Sequence, residues 1–369
     1  MKNIKEVLFN IIEYFLEMNC QVCGPCIYYI LFDDIKDTNN KFTVICKDND
    51  EEMMKQLEKF FELSNRFIKE YTWTQENISK QRKGWVLRED NNIVAQFVIL
   101  NKLYKYHKKK ENNIIISKEN MYYSEGSIEL LKLLRNVISK KEYSELIKLK
   151  LEWIDFFIKS GCFVYGGWLL HFLRGTDIDN DIDIRYPEQF NPTAMFLMLE
   201  KSGSCKKIES SGKSYGSKYK LTSQHGDIIF DIHKIEEFSM GDAFVNMLKL
   251  NKEGLSITIT PKKMTFLKTI AKIFDDIKKD QYTLIKRFPN TINKKSDMRL
   301  FIRPFIMEKY GFKINYDYLE SIDYKKKLDS YITPDECTQK DHINEEQADF
   351  KNVNLKINYK TICLGCLYK

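Results

Sequence analysis

The chain carries an internal repeat. Residues 11–33, IIEYFLEMNCQVCGPCIYYILFD, align without a gap on residues 153–175, WIDFFIKSGCFVYGGWLLHFLRG, at a constant offset of 142. Phe15, Cys20, Val22, Gly24 and Leu31 fall on Phe157, Cys162, Val164, Gly166 and Leu173, and Glu13 falls on Asp155. A unit repeated at this length commits the chain to two similarly built lobes. Each copy reads as an amphipathic helix of 3.6-residue period, a tight turn, a short strand, a glycine turn and a second helix. A further strand follows in each, Phe42 to Cys46 and Asp181 to Arg185.

The two copies diverge in chemistry. In the second, FVYGGWLLHFLRGTDIDNDIDIRY, the strand ends at Tyr165 and Gly166–Gly167 turn the chain into a helix near Trp168. Glycine lets backbone N–H groups come close to a ligand, and a helix N-terminus offers unpaired donors that suit a triphosphate. Asp181 and Asp183 alternate with Ile182 and Ile184, so both carboxylates share one face of a strand and the isoleucines the other. Like charges so placed repel, and hard oxygen donors at this spacing suit Mg²⁺ or Mn²⁺. In the later strand GDIIFDIHKI, Asp227, Ile229, Asp231 and His233 share a face opposite Ile228, Phe230 and Ile232. Asp231, flanked by Phe and Ile, is costly to bury unless paired or metal-bound, and is the natural third carboxylate. In the first copy Pro25 stands in place of Gly167, and Lys41 and Thr43 stand in place of Asp181 and Asp183. Its counterpart of the third strand, NNIVAQFVILN, lacks an acidic residue.

A Gly-Gly turn, a helix, an Asp-x-Asp strand and a third Asp on a later strand resemble the DNA polymerase β-like nucleotidyltransferase superfamily. The nearest look is to the head region of tRNA nucleotidyltransferases and of bacterial or viral poly(A) polymerases. MGDAFVNML adds Asp242, Asn246 and Leu248 at the family's spacing, before a turn at Gly254. Downstream, Thr260 and Pro261 read as the cap and first residue of a helix. Lys268 lies where family members often carry a triphosphate-binding base. The likeness covers roughly residues 150–280. It implies catalytic, metal-binding Asp181, Asp183 and Asp231, and nucleotide-binding Gly166, Gly167, Asp242, Asn246 and Lys268. Leu170 and His171 replace the Arg-Asp pair of CCA-adding enzymes, and Ala243 replaces a usual Phe, so the likeness does not carry the substrate. Viral poly(A) polymerases similarly place a non-catalytic copy before the catalytic one.

Other signals have plainer readings. SSGKSYGSKYK lacks the first glycine of a P-loop, because Lys207 stands there, and reads as a polar hairpin loop. Cys20, Cys23 and Cys26 fall on a strand and turn, as buried thiols do. Cys337, His342, Cys363 and Cys366 offer a loosely spaced zinc set in an acidic, polar tail. Residues 261–303 carry twelve Lys or Arg against four Asp or Glu, interleaved with aromatics. That pattern fits an RNA-binding face and, equally, a solvated helical side.

The expected fold class is α+β: two nucleotidyltransferase-like lobes of mixed sheet and helices, the first degenerate, and a mostly helical C-terminal region. Expected boundaries are residues 1–140, 141–255 for the catalytic domain, 256–335 for a basic helical domain, and 336–369 for a tail. The expected reaction moves a nucleoside monophosphate from an NTP, ATP by preference, to an acceptor hydroxyl, best an RNA 3′ end. The alternatives are transfer to a protein or small molecule, and a non-catalytic binding or scaffold protein. The degenerate copy would serve packing, substrate binding or homodimerisation. With +7 formal charge, 43% hydrophobic residues, nine scattered cysteines and no apolar run near 18 residues, the expectations are a phosphate-bearing partner, reduced thiols and no membrane span. Heavy use of Lys, Asn and Ile fits an AT-rich genome such as that of a large DNA virus, with a cytoplasmic protein.

Overall fold

The computed structural model describes residues 4–32, 41–46, 55, 72–79, 82–89, 92–101, 114–176, 181–190, 192–208, 216–234, 243–261, 264–285, 303–304, 307–315, 355–357 and 360–362. The architecture is mixed α+β. Two compact units emerge: residues 1–141 with 250–275, and residues 142–249 with 276–369.

The first unit opens with α1 (Ile4–Glu17), β1 (Gln21–Cys23), α2 (Pro25–Phe32) and β2 (Lys41–Cys46). Leu8, Ile11, Ile12, Phe15 and Leu16 of α1 are buried, a stripe at helical spacing that seats the helix on its sheet. Then come β3 (Thr72–Ser79), β4 (Arg82–Glu89), β5 (Asn92–Asn101), β6 (Ile114–Ile116), β7 (Asn120–Tyr123) and α3 (Ser127–Ile138). The sheet runs β3-β4-β5-β2-β1-β6-β7, and the strand Gly254–Ile257 pairs antiparallel with β7. β1 is antiparallel to β2, β2 is parallel to β5, and β5 is antiparallel to β4, which is antiparallel to β3. Phe15 packs against Phe97 at a centroid distance of 5.1 Å, edge to face.

The second unit begins at α4 (Glu145–Lys159) and continues through β8 (Phe163–Tyr165), α5 (Gly167–Arg174), β9 (Ile182–Tyr186) and α6 (Pro192–Lys201). β10 (Cys205–Ile208), β11 (Gly216–Ser223) and β12 (Gly226–Lys234) follow. Ser144 caps α4 by accepting from the Ile147 amide, Glu145 sits in its first turn and Lys159 in its last, each on the favourable end of the helix dipole. Ile147, Leu151, Ile154, Phe157 and Ile158 form its buried face. β8 is antiparallel to β9, β9 is parallel to β12, β12 is antiparallel to β11, and β11 is antiparallel to β10. This is the same sequence of strand orientations as β1, β2, β5, β4, β3.

The helix ends agree in detail. α1 closes at Asn19 with φ 58°, and the Cys20 amide donates to Phe15 O at 3.0 Å. α4 closes at Gly161 with φ 85°, and the Cys162 amide donates to Phe157 O at 3.0 Å. Asn and Gly are the residues that enter the left-handed region at least cost.

Alternation along β12 separates core from chemistry. Ile228, Phe230 and Ile232 are buried, while Asp227, Asp231 and His233 lie on the half-exposed face. Phe230 packs beneath the sheet on Trp153 (5.8 Å), Phe157 (5.6 Å) and Phe196 (5.7 Å), and Phe196 stacks on Tyr219 of β11 at 4.2 Å. Aromatic burial of this density sets the strand registers, because a slip of one residue would exchange the two faces.

Among the described residues after 255 lie the helix Phe266–Lys278, helical stretches at 303–304 and 307–309, and paired strands Gln281–Thr283/Lys313–Asn315 and Leu355–Ile357/Lys360–Ile362. One expectation needs correction. The helix begins at Phe266 and not at Pro261; the Thr265 hydroxyl, not Thr260, accepts from the Lys268 amide as a cap does.

Candidate active site

The site is built where β9 and β12 lie side by side in parallel. Asp231 is the direct register partner of Asp183. The 180° alternation of each strand then turns Asp181, Asp183 and Asp231 toward one face, away from Phe230 and Ile182. Tyr165, at the end of β8, is the register partner of Asp183 on its other side. The next residue, Gly166, has φ 80°, and a Cβ placed there would stand 2.8 Å from Asp183 Oδ2. Only glycine allows this turn to lie against that carboxylate and still start α5 at Gly167.

Sequence reasoning missed the cation among these acids. Lys218 on β11 is the register partner of Asp231. Its Nζ donates to Asp181 Oδ2 at 2.7 Å and lies 3.4 Å from Asp231 Oδ2. On the other side of Asp231, His233 Nε2 is 2.8 Å from Oδ1. Tyr165 accepts from Arg185 Nε at 3.1 Å, with the guanidinium carbon 5.3 Å from its ring centre.

These neighbours split the carboxylates electrostatically. Burial, and then the charges of Asp181 and Asp231, push Asp183 up to about 7 against the opposing pull of Lys218 and Arg303. Burial also raises Asp231, but His233 and Lys218 outweigh it and hold its carboxyl below the usual range. Burial, with Asp183 close by, pushes Tyr165 up to about 12. Asp183 therefore holds its proton to a higher pH than an ordinary aspartate.

A pH dependence follows, and its sign is unusual for an aspartate. An unfolded Asp releases its proton near pH 4. Between about 4 and 7 the folded chain holds a proton that the unfolded chain has lost, so Asp183 makes stability fall as pH rises through that window. In chelator, wild type should lose urea midpoint relative to Asp183→Asn steadily from about pH 4.5 to 7, with the loss levelling off above it. A flat difference from pH 5 to 8 would mean that Asp183 titrates as an ordinary carboxylate.

Asp181, Asp183 and Asp231 are the donors able to hold a hard divalent cation, and the donor set fits one: carboxylate oxygens only, crowded enough that the charge on Asp183 is disfavoured. Among the described residues no three His, Cys, Asp or Glu side chains are already gathered as a metal cluster. The Lys218 ammonium lies between Asp181 and Asp231.

The remaining candidates fall elsewhere. Asn246 donates its Nδ2 to the Tyr282 hydroxyl at 2.6 Å, tying the 3₁₀ turn Phe244–Met247 to the strand Gln281–Thr283. Lys268 belongs to the first unit, not to the one bearing the carboxylates, and its Nζ pairs with Glu13 Oε2 of α1 at 2.6 Å. Glu13, itself buried, also accepts from Thr265, so it ties the start of the helix Phe266–Lys278 to α1 while Lys268 stays half-exposed. His171 is buried in α5 with Nδ1 3.0 Å from Thr176 Oγ1; burial and then Arg174 lower it to about 4, so it is neutral. Leu170 is likewise core. Asp242, the Gly-Lys-Ser loop at 212–214, Asp177 and Asp179, and Cys337, His342, Cys363 and Cys366 lie outside the described residues. Cys20, Cys23 and Cys26 are buried thiols. Among the described residues no helix is long and apolar enough to cross a membrane.

No family model matches the chain. No curated protein matches it either. Among solved structures, an apo form of a CCA-adding enzyme is similar at a TM-score of 0.31 and 15% identity, over 52% of this chain and 45% of that one. The match thus spans less than half of that enzyme. It is a weak likeness to a nucleotidyltransferase-like fold, so the functional reading stands on the residues themselves.

Proposed function

We infer that the second unit is a metal-dependent nucleotidyltransferase that moves a nucleoside monophosphate from an NTP, with ATP preferred, to an acceptor hydroxyl, best the 3′ end of an RNA. The observation that carries this reading is the parallel register of Asp231 with Asp183, with Asp181 on the same face and the Gly166 turn against Asp183. Asp181 and Asp183 would hold Mg²⁺ or Mn²⁺, with Asp231 completing the donor set. When bound, the cations would supply charge neutralisation for the reacting phosphate. The chain's own groups do the rest. The Gly166–Gly167 backbone seats phosphate oxygens at the start of α5. Asp231, kept ionised by Lys218 and His233, receives the proton of the acceptor hydroxyl. Tyr165 and Arg185 wall the site beside Asp183.

The first unit reads as a silent copy. Its strand orientations repeat those of the second, and Thr43 pairs with Val98 in β2–β5 where Asp183 pairs with Asp231 in β9–β12. Lys41, Thr43 and Val98 offer no carboxylate, so this copy would contribute packing or substrate contacts.

The test is incubation of the full chain with each α-labelled NTP, Mg²⁺ or Mn²⁺ and a pool of RNA. Label is expected on RNA, with ATP the best donor. Label on the protein or on small molecules would move the reading to the rival acceptors. No label under any condition would leave a binding or scaffold role.

A further inference from the structure

Lys218 does more in this site than hold Asp231 ionised, because it also donates to Asp181. Three carboxylates and one ammonium meet on the outer face of β9, β12 and β11, and the ammonium touches two of the three. Resting on the functional reading above, we propose that Lys218 is the site's resident counter-ion: it holds Asp181 and Asp231 in the metal-free protein, yields them to the divalent cation, and then takes the triphosphate of the incoming nucleotide.

Geometry supports each stage. Lys218 is fixed at its Cα opposite Asp231, so its ammonium stays within reach of the site wherever the carboxylates bind. Its side chain is 34% exposed on a flexible four-carbon stem, free to turn outward. The ammonium occupies Asp181 Oδ2 and Asp231 Oδ2, so a cation held by the same two carboxylates would compete with it. Once displaced, an ammonium beside a neutralised site is left facing the most highly charged group that the reaction brings to the carboxylates, the triphosphate. The neighbouring Lys220 is a natural control, because it sits on the same strand yet pairs with Asp227 at 2.6 Å, outside the trio.

The experiment measures Mn²⁺ binding to the full chain without nucleotide, from the paramagnetic resonance of free Mn²⁺. Wild type, Lys218→Met, Lys220→Met and Asp183→Asn are compared. Lys218→Met should bind Mn²⁺ about tenfold more tightly, since two part-exposed ion pairs no longer have to break. Lys220→Met should stay within about twofold of wild type. With Mn²⁺ saturating, α,β-methylene ATP should bind Lys218→Met about tenfold more weakly than wild type, because a charge-assisted contact is gone. Equal Mn²⁺ affinity in wild type and Lys218→Met overturns the counter-ion role, and unchanged affinity for the analogue overturns the transfer to phosphate. If wild type, Lys218→Met and Asp183→Asn all bind no Mn²⁺, the functional reading falls along with the proposal. Mn²⁺ binding that needs Asp183 but ignores Lys218 takes down the proposal alone.

Discussion

Asp183→Asn is expected to lower NTP-dependent labelling by about a thousandfold, roughly 4 kcal/mol of lost transition-state stabilisation, while leaving the metal-free protein as stable as wild type or slightly more so. The two halves have one cause. Asp183 is enclosed by Tyr165, the Gly166 turn and two other carboxylates, and burial with that crowding disfavours its charge. Asparagine keeps the shape and removes the charge, so repulsion in the empty site is relieved. The same change removes a cation ligand. Mg²⁺ should therefore raise the melting temperature of wild type and not of the variant, since only a ligand that prefers the folded state stabilises it. A structural aspartate would behave the other way, with the variant unstable whether or not metal is present. Equal Mg²⁺ shifts in the two proteins would sink the catalytic reading.

Phe157→Ala should be the most destabilising substitution in the second unit, costing about 3–5 kcal/mol. Its ring is fully buried and meets Trp153, Phe190, Phe196 and Phe230 at centroid distances of 6.3, 6.5, 6.1 and 5.6 Å. The cavity would open directly under Phe230, the residue before Asp231, so the variant should also need more Mg²⁺ for half-maximal activity. Phe156→Ala is the matched comparison. That ring is 44% exposed, and its removal should cost under about 1 kcal/mol. Urea unfolding reads both, and a Phe157 variant no weaker than the Phe156 variant would show that this cluster does not hold β12 in place.

Much of the site was legible in the sequence because strand alternation is local. Asp181, Asp183 and Asp231 could be assigned to one face from neighbours two residues away, and Gly166 from its place between a strand and a helix. What escaped depended on pairing between distant segments. Lys218 follows a polar loop, and nothing in its own neighbourhood says that its strand will lie beside β12 with Lys218 opposite Asp231. The surroundings of Lys268 also depend on distant packing. Its spacing from the third strand matched an expected position, but the segment 250–275 packs with the first unit, where Glu13, more than 250 residues earlier, captures the charge. Asn246 had the expected spacing too, and its amide is committed to Tyr282.

The pairing of β9 with β12 makes inspection of the product part of assembly. If β12 joined β9 one residue out of step, Asp231 would be driven in among Phe157 and Phe196 and Phe230 pushed into water. A slip of register could not then scatter the three carboxylates while keeping a sound interior. Misassembled molecules would announce themselves by instability. For the same reason, activity per folded molecule should be nearly uniform across a preparation, and a partly active sample should be a mixture of folded and unfolded chains, not a population of impaired ones.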